Sequence, residues 1–149
     1  MTQLVVFSVG SEGYGLPITQ VQEIIRYTRP RTVPAAAPMV SGVINLRSKV
    51  IPVCDLRQAL GLAPAATAGE AAADHRKIVI LETVHGAVGL VVDDVDKVMT
   101  IEDADVDTNR AADAPFIDGI AKLGDELYVL LAPDALVESF GLAPDALAA

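Results

Sequence analysis

Short apolar, β-branched runs recur along the whole chain, at residues 4–9, 14–18, 42–46, 50–54, 77–82, 87–92, 95–101, 117–123 and 126–131. Turn residues separate them, among them Gly10-Ser11-Glu12-Gly13, His85-Gly86 and Gly124-Asp125. Many short strands at this spacing predict a β-sandwich or small β-barrels. Two helical stretches interrupt the pattern. The first, 55–60, is followed by Gly61 as its stop. The second, 133–140, opens on Pro133 in first-turn position and stops at Gly141.

The pattern occurs twice. Leu4-Val5-Val6-Phe7 matches Ile78-Val79-Ile80-Leu81 at an offset of 74. At the same offset Gly15-Leu16 matches Gly89-Leu90, Ile18 matches Val92, Val21 matches Val95 and Ile24 matches Val98. Further on, Pro38 and Gly42 match Pro115 and Gly119, and Leu60-Gly61-Leu62-Ala63-Pro64 matches Phe140-Gly141-Leu142-Ala143-Pro144. A unit of about 75 residues is too long for a solenoid repeat. It predicts two similar β-lobes packed together: lobe 1 over residues 1–62, a linker at 63–75, and lobe 2 over 76–141, with exchange of strands between them open. The linker is almost all Ala, Gly, Pro and Thr and lacks large apolar anchors. The tail after residue 142 has the same character.

The halves differ most at one hairpin. Gly42-Val43-Ile44-Asn45-Leu46 and Val50-Ile51-Pro52-Val53 flank a tip of Arg47, Ser48 and Lys49. Its second copy is Gly119-Ile120-Ala121-Lys122-Leu123 and Glu126-Leu127-Tyr128-Val129-Leu130. Only the first copy carries Asn45 and Arg47, and Gly124 stands opposite Arg47 in the repeat. Strand alternation puts Asn45 and Arg47 on one face. An arginine bordering an apolar stretch suits a protein–protein anchor.

Charge narrows the partners. The net charge is −9, which argues against nucleic-acid backbones. Residues 1–61 hold six Lys/Arg against three acids, and residues 62–149 hold five against 17. Opposite faces are therefore suited to different partners. The lone Cys54 lies in an apolar run and predicts a buried thiol. No basic and apolar leader and no run near the roughly 20 residues of a membrane span is present, so a cytoplasmic location is expected.

Chemical motifs fail on inspection. Gly10, Gly13 and Gly15 have neither dinucleotide nor P-loop spacing. Asp103, Asp105 and Asp107 mimic the start of a calcium loop, but Thr108 and Ala114 stand where Gly and Glu are required. Neither His75 nor His85 lies within a few residues of a Cys or a second His at metal-ligand spacing. No serine sits in a nucleophile elbow. No catalytic, cofactor or metal site is expected.

The ordered series Val6-Phe7, Gly13-Tyr14-Gly15-Leu16-Pro17-Ile18, Val21-Gln22-Glu23-Ile24, Gly42-Val43-Ile44-Asn45-Leu46-Arg47, Val50-Ile51-Pro52-Val53-Cys54-Asp55-Leu56-Arg57 and Val88-Gly89-Leu90-Val91-Val92-Asp93-Asp94-Val95 resembles a CheW-like domain, the adaptor of bacterial chemotaxis. The resemblance implies two SH3-like five-stranded β-barrels and no enzymatic activity. It implies a cytoplasmic adaptor that couples chemoreceptor tips to the regulatory domain of the histidine kinase CheA, with a receptor helix between the lobes. It places receptor contacts at Val21, Glu23, Gly42, Asn45, Arg47, Val79, Gly89, Val95 and Val98, and leaves the kinase contacts unassigned. Arg47 and Glu23 either contribute charged contacts or brace each other. After Asn45-Leu46-Arg47 the family has Gly, whereas this chain has Ser48; a positive φ there would strain the turn. Little follows the second helix, which favours a stand-alone adaptor. The alternatives are a CheW-like module of another pathway and, more distantly, a small β-barrel that binds nucleic acid.

Overall fold

A computed structural model describes residues 2–10, 12–32, 40–60, 76–84, 86–107 and 116–139. The expected linker, His75, His85, Gly61 and Gly141 lie outside them. The elements in chain order are β1 (Thr2–Val9), β2 (Glu12–Pro17), β3 (Val21–Arg26), β4 (Val40–Leu46), β5 (Lys49–Asp55), α1 (Leu56–Ala59), β6 (Lys77–Thr83), β7 (Gly86–Val92), β8 (Asp94–Ile101), β9 (Val106–Asp107), β10 (Ile117–Leu123), β11 (Glu126–Leu131) and α2 (Pro133–Ser139). Single 3-10 turns at Ile18–Gln20 and Asp103–Asp105 link β2 to β3 and β8 to β9.

The fold is mainly β, as expected, and its strands form two sheets. One has the order β8-β1-β2-β11-β10-β9, the other β3-β6-β7-β5-β4. Each takes strands from both sides of the linker. Parallel pairing of β2 with β11 (Tyr14 opposite Val129) and of β5 with β7 (Cys54 opposite Leu90) joins the halves. The expected boundary at 63–75 therefore divides the repeats in sequence but not the sheets in space.

Alternation along the strands builds three cores. Leu4, Val6, Ile101, Ala121, Tyr128 and Leu130 fill the six-stranded lobe. Ile44, Ile51, Val53, Ile78, Ile80 and Val91 fill the five-stranded lobe. The opposite faces of the same strands meet between the lobes, where Phe7, Val9, Tyr14 and Leu16 pack with Val79, Leu81, Val88 and Leu90. A single strand such as β6 thus feeds two cores, Ile78 and Ile80 into one and Val79 and Leu81 into the other. This explains why the apolar runs are nearly continuous rather than alternating.

The segment that follows β3 turns back onto the β4 edge of the five-stranded sheet. Arg31 exchanges two 2.8 Å backbone hydrogen bonds with Val43 of β4. Gly42 permits that approach, because a Cβ there would lie 2.2 Å from the Arg31 carbonyl oxygen. At the repeat-equivalent place β9 lies along β10, with Ala121 opposite Val106. Neither β3 nor β9 is among the expected strands. The strand expected over 14–18 ends at Pro17, and the strand expected from 50 begins at Lys49.

A polar clasp fixes the lobes together. The Arg57 guanidinium donates from Nε to Asp93 Oδ1 (3.1 Å) and from Nη2 to Oδ2 (2.6 Å). The Gly10 N–H, in the β1–β2 turn, donates to the same Oδ2 at 2.7 Å. Asp55 caps α1 by accepting from the Arg57 N–H at 3.0 Å, which places Arg57 for that reach. Burial opposes the charge on Asp93, but the Arg57 bond, the Gly10 N–H and the charges of Arg57 and Arg76 outweigh it, and its carboxyl lies below the ordinary range. Burial raises Asp55 despite the Arg57 N–H and the same two cations. Cys54 is buried, and burial with the neighbouring Asp55 charge pushes its thiol up to about 12, far from the reactive thiolate range.

Candidate functional site

The strands β3 and β8 are repeat equivalents, and each is an edge of its sheet. Val21 on β3 and Val95 on β8 both pack against the core between the lobes, so the two edges converge over it. Ile24 lies opposite Val79 across the β3–β6 pair, and Val98 lies opposite Val5 across the β8–β1 pair. Cross-strand partners share a face. The result is a pseudo-symmetric groove rimmed by Ile24 and Val98, 40% and 54% exposed, with the closed core residues Val5 and Val79, 2% and 0% exposed, packed beneath them. Isolated exposed aliphatics are ordinary; these two are related by the internal repeat and flank one apolar core, which makes the groove the candidate interaction surface.

Charge frames the groove unevenly. Arg47, 72% exposed, donates from Nη1 to Glu23 Oε2 at 2.5 Å and from Nη2 to Oε1 at 3.2 Å. The two residues therefore brace each other, spanning from β3 to the β4–β5 turn. On β8 the equivalent of Glu23 is Lys97, which is exposed beside Asp94 and Asp96.

Arg47 does not lie on a strand. It and Ser48 are the two central residues of a tight turn between the paired Leu46 and Lys49, with φ of +52° and +67°. Two positive values in a two-residue hairpin are the type I′ pattern. In the second copy only Gly124 has a positive φ, +64°. Strand alternation therefore does not place Arg47 beside Asn45; the turn and the Glu23 carboxylate aim it.

The nine expected contact residues divide into three groups. Val21, Glu23, Val95 and Val98 lie along the groove, with Arg47 bonded to its rim. Asn45 is exposed on β4 and lines an open hollow of 540 Å³ with Arg29, Arg31 and Val50. Gly42, Val79 and Gly89 are buried and offer a partner no side-chain surface. A Cβ on Gly89 would lie 2.9 Å from Ile78 Cγ2 and 3.3 Å from Val53 Cγ2, so this glycine serves packing inside its lobe. Ile24 was missing from the expected set, although its repeat relation to Val98 pointed to it. Among the described residues no group of three or more His, Cys, Asp or Glu is placed to hold a metal. None of their helices is long and apolar enough to cross a membrane.

Two β-lobes that share a core and bear an apolar groove between equivalent edges define a protein-binding scaffold. The chain belongs to the CheW family: the CheW-like domain model matches residues 3–140. It is 33% identical over 106 residues to chemotaxis protein CheW of Bacillus subtilis, a stretch that covers 71% of this chain and 65% of that protein. To chemotaxis protein CheW of Treponema pallidum it is 30% identical over 134 residues, covering 87% and 78%. The crystal structure of scaffolding protein TtCheW from Thermoanaerobacter tengcongensis superposes with a TM-score of 0.82 at 31% identity, covering 92% of each chain.

Proposed function

We propose that this scaffold is a non-enzymatic cytoplasmic adaptor that couples the cytoplasmic tip of chemoreceptors to the histidine kinase CheA, without itself inserting into the membrane. The observation that carries the reading is the groove in a CheW-family chain: Ile24 and Val98 stand over core residues closed to water, at a spacing set by equivalent edge strands. Such a groove suits the apolar face of a receptor helix, with Glu23–Arg47 and Lys97 meeting its polar flanks. Apolar burial contributes about 25 cal/mol per Å² before the costs of association, which sets an expectation of micromolar binding. A nucleic-acid reading has less support, since the chain is acidic and none of the large hydrophobics exposed among the described residues is aromatic.

The test is reconstitution with receptor-bearing vesicles and CheA. Ile24→Asp and Val98→Asp should each lower receptor binding at least tenfold with little change in melting temperature, and Arg47→Ala by a smaller factor. Leu127→Asp, at an exposed position outside the groove, should leave binding unchanged. Failure of the native chain to form a ternary complex or to alter kinase activity would overturn the reading.

A further inference from the structure

The repeat breaks a second time, at the end of each lobe where β1 and β6 begin. In the five-stranded lobe the Tyr27 N–H donates to the Arg76 carbonyl at 3.2 Å. The Arg76 guanidinium carbon lies 3.8 Å from the centroid of the Tyr27 ring, within cation–π range. Tyr27 also packs on the core of that lobe, so an aromatic ring and its cation close this end. At the offset of 74 their equivalents are Ile101 and Thr2, which are register partners on β8 and β1. Neither supplies a ring or a charge.

Among the described residues nothing plugs the corresponding end of the six-stranded lobe. A cavity of 280 Å³ is walled by Leu4, Ile101, Val106 and Leu130, with Asp103 and Asp118 also lining it. Both aspartates are exposed, and neither has an ion-pair partner among the described residues. The space is small for a cofactor-sized ligand and suits a single large side chain.

We propose that this end of the lobe is a socket for an aromatic side chain of a partner protein that carries a basic residue beside it. That pair is the one the chain supplies to itself at the other lobe. The ring would bury against the aliphatic walls, and the cation would meet the two carboxylates. The excess of acids after residue 61 favours approach of a cationic segment. The socket is separate from the groove and does not depend on what the groove binds.

The test is titration of the methyl-labelled full chain with acetyl-Tyr-Arg-amide and with acetyl-Tyr-Glu-amide, followed by NMR. Saturable shifts should centre on the methyls of Leu4, Ile101, Val106 and Leu130, with at least fivefold weaker binding of the Glu peptide. The double variant Thr2→Arg/Ile101→Tyr, which provides the plug from within, should lose the binding. If that variant does not fold, Asp103→Asn/Asp118→Asn should weaken the Arg peptide at least threefold and leave the Glu peptide no weaker. Equal affinity for both peptides, shifts spread over the surface, or unaltered binding in the variants would overturn the proposal.

Discussion

Arg47 and Ser48 hold, side by side, a conformation that glycine enters freely and other residues enter at about 1–2 kcal/mol each. The hairpin keeps its two-residue turn regardless, because Leu46–Lys49 pairing and the Glu23 ion pair hold both flanks. The serine that stands where the resemblance leads one to expect glycine therefore strains the turn without rebuilding it. Ser48→Gly should stabilise the chain by about 0.5–1 kcal/mol, part of the relieved strain being offset by the freer unfolded state. A rise in urea midpoint at constant slope would show this, and receptor binding should not change. That Arg47 differs from its counterpart was legible as a break in the repeat. Its direction was not, because a turn residue does not obey the alternation of the strands beside it.

Edge strands carry the groove and were the hardest elements to read. In β3 partly buried and exposed residues alternate without one fully buried side chain, so no apolar run announces it. Its existence was legible only through β8, its equivalent. The opposite difficulty applies to Val79 and Gly89. A strand that feeds a lobe core on one face and the inter-lobe core on the other is apolar throughout, and sequence alone cannot tell which of its residues a partner reaches. The short β9 is set by the Gly119 contact with Val106 and Asp107 rather than by its own two residues. At the matching closure in the five-stranded lobe, Gly42→Ala would drive a methyl into the Arg31 carbonyl. We expect a loss of roughly 2–4 kcal/mol, seen as a lowered thermal midpoint. Substitution at the exposed neighbour Ser41 should cost far less.

At the scale of the molecule, the Arg57–Asp93–Gly10 clasp ties α1 of one lobe to the turn and edge strand of the other. Asp93 has a lower pKa folded than unfolded. Its contribution is therefore complete above the ordinary carboxylate range, about pH 4, and is lost as pH falls through the lower folded value. Asp55 acts in the opposite sense: its raised value disfavours the charged form in the fold, and stability returns as it protonates. Asp93→Asn should lower the melting temperature at neutral pH, and the gap from the native chain should shrink steadily in acid. A gap independent of pH would show that the Asp93 charge contributes nothing to the clasp.

The parallel pairings β2–β11 and β5–β7 also determine how the chain must fold. Neither half owns a finished sheet, so the first lobe waits in synthesis for strands encoded near the other end of the chain. Loops that long are closed before their contacts repay the entropy, which places folding toward the slow end for small domains. Fragments 1–62 and 76–149, made separately, should each lack a stable sheet and should regain β circular dichroism only on mixing. The repeat seen in the sequence is thus a repeat of shape whose two copies share their sheets.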